Sequence, residues 1–335
     1  MPSRLRPALR RLRLPLAALL VLAVALAWWL AGRTSLGYPQ GTYGFATGTR
    51  GGVYDLYGSL FKPVVEREVP GVRLRLDPSA GGPDNLERIA TGQDAFGVAT
   101  ADAVAAYNGP GKDRLQALGR LYDDYVQLVV PSDSDIRTVA DLRGKRVGTG
   151  QANSGVALIA SRVLQLSGLH PGHDVTSVPL GIKDAPGELR AGRIDAFFWS
   201  GGLPTFNVSA LSADMRIRLI PLGGLASAMD SLAQTQDAGS RGTQLYRTSS
   251  IPASAYPLTA PVQAVPTLAV ANLMVTRDDV PAALVERVTA AIISSRDTIG
   301  QRVHSAQLVD IRSAIYTDPL PLAEGARRYY AAAKP

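Results

Sequence analysis

The chain predicts an α/β fold built on parallel strands, and three observations carry that prediction. Short strand-like runs alternate with segments whose apolar residues recur at helical spacing. Two strands end in Thr-Gly, at Thr47-Gly48 and Thr149-Gly150, and each leads through a polar, glycine-rich loop into a helix. Of the 335 residues, 46% are apolar and 19% charged, the balance of a globular chain long enough for a large core or two domains.

The elements follow in order. Residues 42–46 have the Tyr, Phe and Thr content of a strand. Leu56, Leu60 and Val64, flanked by Tyr57, Phe61 and Val65, repeat as one face of a helix. Pro63 is expected to kink that helix or end its first segment. Residues 72–76 alternate apolar and basic, as in a strand with one covered face. Pro83 and Asp84 open a helix through Leu86, Ile89 and Ala90. Residues 95–99 read as a buried strand, 102–107 as the helix after it, and 125–130 as a strand ended by Pro131.

A second series runs from Val139 to Gly148 as one helical turn, a glycine break and a strand. After Thr149-Gly150 comes a helix with Ile159, Val163 and Leu166 on one face and Gly168 at its end. Strand 175–178, helix 185–191 and strand 194–199 complete the series. Between Pro221 and Thr267 the pattern weakens to a loose helix and long connections, with only Asp230, Asp237, Arg241 and Arg247 charged. Residues 267–276 form a strand, and Pro281 opens a long helix carrying Leu284, Val288 and Ile292.

The pI of about 9.7 suggests a nucleic-acid partner, but the charge is local. Residues 1–33 contain Arg4, Arg6, Arg10, Arg11, Arg13 and Arg33 and no acid. Subtracting those six from the net +7 leaves about +1 for the other 302 residues, so the body has no basic stripe for nucleic acid. Residues 14–31 form an uninterrupted apolar run, about 27 Å long as a helix and close to bilayer thickness. Five arginines precede it and one follows, which puts the body on the extracytoplasmic side. The run reads as an N-terminal membrane anchor, with Trp28 and Trp29 at its outer end. The alternative is a signal peptide cleaved near Ala25-Leu26-Ala27, and both readings export the body.

Residues that would carry enzyme chemistry are missing. There is no cysteine, hence no thiolate nucleophile or lipoprotein anchor. His170 and His173 lie in a turn with only Asp174 beside them, which reads as a solvated loop and not a zinc site. No serine stands in Gly-x-Ser-x-Gly, and neither a Walker lysine nor a dinucleotide fingerprint occurs. Asp123-Asp124 offers a candidate general acid/base pair, but adjacent acids between a helix and a strand read as a solvated loop. The expectation is a protein that is not an enzyme and needs no cofactor or metal.

The loop Thr47-Gly48-Thr49-Arg50-Gly51-Gly52-Val53-Tyr54 joins a strand to a helix start, a geometry that binds small anions. It resembles the opening motif of the TAXI family, the extracytoplasmic solute receptors of TRAP transporters. Gly81-Gly82-Pro83-Asp84-Asn85-Leu86, residues 86–97, 139–155 and 194–202 match in the same order, so the likeness covers about residues 42–290.

The resemblance implies a two-lobed type II periplasmic binding protein fold with a ligand cleft between the lobes. Residues 1–33 would be the signal-anchor helix and 34–40 a tether. Lobe one would comprise 41–127 and 268–335, and lobe two 128–267, with strands 125–130 and 267–276 as the two crossings. It implies a small anionic metabolite as ligand, a carboxylate or amino acid of the glutamate or C4–C5 dicarboxylate type. A TRAP-type membrane permease would be the partner.

Carried over by residue, Thr47, Gly48, Thr49, Gly51, Gly52 and Tyr54 would line one jaw of the cleft, with Gly81, Gly82 and Asn85 on a neighbouring loop. Gly150, Gln151, Asn153, Ser154 and Gly155 would form the opposite anion-binding turn, and Trp199, Ser200, Gly201 and Gly202 a wall. Asp102 stands where the family often has Ser-Asp, though Ala101 precedes it here. Arg50 is an addition able to hold a carboxylate in bidentate fashion, the other reading being a solvated loop arginine. Asp55 replaces a second tyrosine, and Val156 replaces the usual Thr. The rival reading is a sensory ectodomain of the same fold that passes ligand occupancy to a signalling partner.

Overall fold

The computed structural model describes residues 39–257 and 259–333, together with Val24. The apolar run 14–31 otherwise lies outside the described residues. Among the described residues no helix is long and apolar enough to cross a membrane.

Two βαβαβ runs of matching design organise the body. In the first, β1 (Gly41–Gly48), α1 (Val53–Glu68), β2 (Val72–Pro78), α2 (Gly82–Thr91) and β3 (Phe96–Thr100) place their parallel strands in the order β2-β1-β3. Helix α3 (Ala101–Ala106) follows, then the long strand β4 (Leu115–Pro131). In the second run, a single turn at Val139–Leu142 precedes β5 (Arg146–Gly148), α4 (Gly155–Leu166), β6 (Thr176–Val178), α5 (Ala185–Arg190) and β7 (Ala196–Gly201). Its parallel strands repeat the first order, β6-β5-β7.

The chain then adds α6 (Phe206–Asp214), β8 (Ile217–Leu219), α7 (Ala226–Gln236), β9 (Tyr246–Ile251) and β10 (Val265–Arg277). Helices α8 (Ala282–Ser294), α9 (Arg296–Gly300) and α10 (Glu324–Ala332) close it.

Strands β4 and β10 stitch the two runs into one sheet, ordered β2-β1-β3-β10-β4-β7-β5-β6. Each changes partners along its length. Residues 115–125 of β4 pair antiparallel with β10, and from Tyr125 to Val129 it pairs with β7. The first half of β10 pairs with β9, and its second half with β3. One apolar cluster packs α1 and α8 against the first run, with Phe45, Phe61 and Val288 fully buried. A second runs from α2 and α3 to α4 and α7 on the opposite face.

Three expectations change. Helix α1 continues through Pro63 to Glu68, because its apolar face packs on the sheet and outweighs one lost backbone bond. Strand β4 begins ten residues before Tyr125 and contains Asp123-Asp124, so that pair is not a solvated loop. The 221–267 region holds β9, an edge strand whose exposed Arg247, Thr248 and Ser250 hide it from hydropathy.

Candidate functional site

Parallel strands deliver their carboxyl ends to one crevice, and helices begin there. Gly48 ends β1, Thr100 ends β3 and Gly148 ends β5. Glycines with positive φ at Gly48 (71°) and Gly150 (86°) turn the chain into corresponding loops. A Cβ at Gly48 would lie 3.2 Å from Tyr54, and one at Gly150 2.7 Å from Val156. The two jaws are thus built to one plan, each glycine closing on the residue six positions ahead.

Three helix N-termini line a single cleft of about 650 Å³, its open mouth included. No side chain caps α1 at Gly52 or α2 at Gly81. At α4 the Ser154 hydroxyl accepts from Ala157 N–H at 3.1 Å. The N–H groups of Val53, Tyr54, Gly155 and Val156 have no backbone acceptor among the described residues. Gly82 N–H at the start of α2 likewise has none, and bare N–H groups at the positive ends of these three helices make the cleft a place for negative charge.

The cleft's two sides touch. A Cβ on Gly81 would sit 3.5 Å from Ser154, and one on Gly155 3.6 Å from Thr100 Oγ1. Two buried hydroxyls in the lining, Thr100 Oγ1 and Ser200 Oγ, have no hydrogen-bond partner among the described residues. Trp199 supplies its ring as a wall, while its indole N–H donates to Thr205 Oγ1 at 3.1 Å. Val53, Val156, Ile159 and Leu180 add apolar surface.

Asp124 is the sole charged side chain in this lining. Asn272 Nδ2 donates to its Oδ1 at 2.8 Å, and the Tyr54 hydroxyl donates to Asn272 Oδ1. Burial, with the charges of Asp123 and Asp102, pushes the Asp124 carboxyl up to about 7, against the Asn272 hydrogen bond. Burial likewise raises the Tyr54 phenol well above its ordinary value.

Of the residues expected at the site, Thr47, Gly48, Thr49, Gly52, Tyr54, Gly81, Gly82, Gly150, Gln151, Ser154, Gly155, Trp199 and Ser200 line this cleft together. Arg50 does not. It is exposed in a neighbouring outer cavity beside Lys183 and Asp184. Gly51 and Gly202 line a third cavity, and Gly201 packs beneath the Trp199 indole.

Asn85 is fully buried and structural, donating to Val98 O at 2.8 Å and accepting from Ser79 Oγ. Asp102 is buried behind the cleft, where it accepts from Ala103 N–H and the Tyr246 hydroxyl. Asn153 adopts φ 58° with its side chain exposed. Asp55 is occupied with the loop itself, accepting from Gly51 N–H at 2.9 Å. His170 and His173 are exposed, and among the described residues no group of three His, Cys, Asp or Glu is arranged to hold a metal.

Sequence reasoning missed Thr100, Asp124, Leu180 and Gly181 in the lining. Thr100 was findable, because it directly follows a buried strand that should end at the crevice. Asp124 was not, because only the antiparallel pairing of β4 with β10 carries it inside.

Such a sheet, with strand ends and helix starts converging between two halves, is the α/β fold of the type II periplasmic binding proteins. Periplasmic binding protein BugD aligns with a TM-score of 0.55 at 11% identity, over 88% of this chain and 93% of its own. A second structure, described as a periplasmic transporter, aligns at 0.51 and 12% identity with the same coverages. The alkanesulfonate-binding protein SsuA from Xanthomonas axonopodis pv. citri, bound to MOPS, is 23% identical over 89% of this chain and 86% of its own, with a TM-score of 0.45. The chain belongs to the NMT1-like family, whose profile it matches over residues 45–332.

Proposed function

We propose that this protein is an extracytoplasmic solute-binding receptor of the TAXI type. It would take a small carboxylate or amino acid, of the glutamate or C4–C5 dicarboxylate type, into the cleft and present it to a TRAP-type permease. The observation that carries the reading is the convergence of three helix N-termini with unbonded N–H groups on one cleft that holds no basic side chain. The apolar run 14–31 with its arginine-rich flank supports export of the body and attachment to the membrane. The partner changes along β4 and β10 support reading these strands as the crossings about which the lobes, 41–127 with 268–335 and 128–267, would close.

The reading is one of capture without conversion, and the hydroxyl and N–H donors and the apolar walls of the lining support it. A thermal-shift screen of the full-length protein against carboxylates, amino acids and phosphate tests the reading. Stabilisation by one small carboxylate is expected. No shift with any of them refutes a receptor for small anions.

A further inference from the structure

Asp124 sits where a cleft for anions should not hold a carboxylate. The residue is only 4% exposed, on β4, and lines the same cavity as the three helix N-termini. Among the described residues, every element packed against it leaves that carboxyl without a basic partner. From β10, Asn272 offers one N–H to Oδ1, and its orientation is fixed because its carbonyl accepts from Tyr54 of α1. From α3 the nearby charge is Asp102, and along β4 the neighbours are Tyr122 and Asp123. The bases in the region are already engaged: Arg120 and Arg247 pair with Asp123, and Arg162 pairs with Asp237 and the Tyr246 hydroxyl.

We propose that Asp124 works as the protonated acid in the bound state, with Oδ2–H donating to an anionic group held at the helix N-termini, so that capturing an anion takes up one proton. This rests on the solute-receptor reading above. The proton belongs on Oδ2 because Oδ1 already accepts from Asn272. In the free protein the bare N–H groups favour the carboxylate, while burial and the acidic neighbours oppose it, and the group is poised near neutrality. An anion that occupies those N–H groups replaces positive potential with negative. The ionised form of Asp124 then becomes untenable beside it, and solvent supplies the proton; release of the anion returns it. The arrangement makes affinity depend on pH with a defined sign.

Isothermal titration of the full-length protein in detergent with glutarate and with L-glutamate tests this, since the two differ by one ammonium group. For glutarate the dissociation constant is expected to rise about twentyfold between roughly pH 6.5 and 8.5, the behaviour of one linked proton with a free-state midpoint near 7. Titrations at about pH 8.5 in buffers of different ionisation enthalpy should report uptake of close to one proton, falling to about a quarter at pH 6.5. Asp124→Asn keeps a donor but cannot ionise, and it should flatten the pH dependence and abolish the uptake. Asp124→Leu should weaken glutarate below about pH 7 and remove the pH dependence as well.

A flat wild-type profile overturns the proposal. So does L-glutamate binding more tightly than glutarate with that preference lost in D124N, because Asp124 is then an ammonium acceptor. If neither compound binds at any pH, the dicarboxylate class falls, and carbon-13 NMR of the free protein decides the role of Asp124. A carboxyl titrating near pH 7 and absent from D124N upholds it, while titration of Asp124 near pH 4 overturns it.

Discussion

Replacing Thr100 with valine separates the two things a binding site does to a protein, and it should move them in opposite directions. Thr100 is 3% exposed at the end of β3, and its hydroxyl meets no protein acceptor or donor. Although it stands at the N-cap of α3, its side chain makes no capping bond there, so valine forfeits none. Valine has nearly the same shape. A buried hydroxyl without a partner costs about 1–3 kcal/mol. Thr100→Val should therefore stabilise the free protein by roughly 1 kcal/mol, read as a higher urea midpoint with an unchanged slope.

The hydroxyl faces Gly155 across the cleft, beside the unbonded N–H groups of α4. A hydrogen bond from it to a charged ligand group is worth about 1.5–3 kcal/mol, so affinity should fall about 10- to 150-fold. Calorimetry and urea titration on the same preparation measure both. A variant that binds like the wild type removes Thr100 from the site. One that is less stable shows that the hydroxyl has a partner after all.

Further outcomes follow from the same geometry. Gly155→Leu places its Cβ in open space apart from Thr100 Oγ1 at 3.6 Å, at the first position of α4. Helix propensity should add about 0.8 kcal/mol, while the side chain fills the cleft and costs binding about 1–3 kcal/mol; loss of the fold by circular dichroism would contradict this. Arg162→Met strips a guanidinium, 3% exposed, from Asp237 and Tyr246 and should cost about 3–5 kcal/mol in chemical denaturation, a drop below 1 kcal/mol arguing against the network.

Stability should also decline as pH rises from about 6 to above 7, once the carboxylates that ion pairs hold low, such as Asp174, Asp195 and Glu324, have ionised in both states. Burial raises Asp94 to about 7, aided by its neighbour Asp77 and opposed by Arg88 and Arg75, and Asp124 also reaches about 7. At these two carboxyls the folded state binds more protons than the unfolded chain, so each one's contribution is present at low pH and lost as it ionises near 7. Melting temperatures that climb steadily from pH 5 to 8 would refute this, and Asp94→Asn should flatten part of the fall.

Much of the framework was legible because local rules and tertiary packing agree. The strands at Phe45, Leu74 and Val98 and the helix faces at Leu86, Ile89 and Val163 are all fully buried or nearly so, as their periodicity requires. The two Thr-Gly loops were legible for a similar reason. A strand, a left-handed glycine and a helix start are all local, and their likeness to each other is written in residue order.

Residue order determined that this chain alternates strands and helices, confines its excess charge to the first 33 residues, and carries two matching loops at helix starts. Only the tertiary structure decided what those loops enclose. Pairing between β4 and β10, more than a hundred residues apart, draws Asp124 out of an apparently solvated pair and into the cleft beside Asn272. The same packing leaves Arg50 outside the inner cleft, since the Gly51 N–H bond to Asp55 sets the loop while Arg50 stays exposed. Burial and long-range pairing have no signature in neighbouring residues, and here they determine which side chains face the cleft.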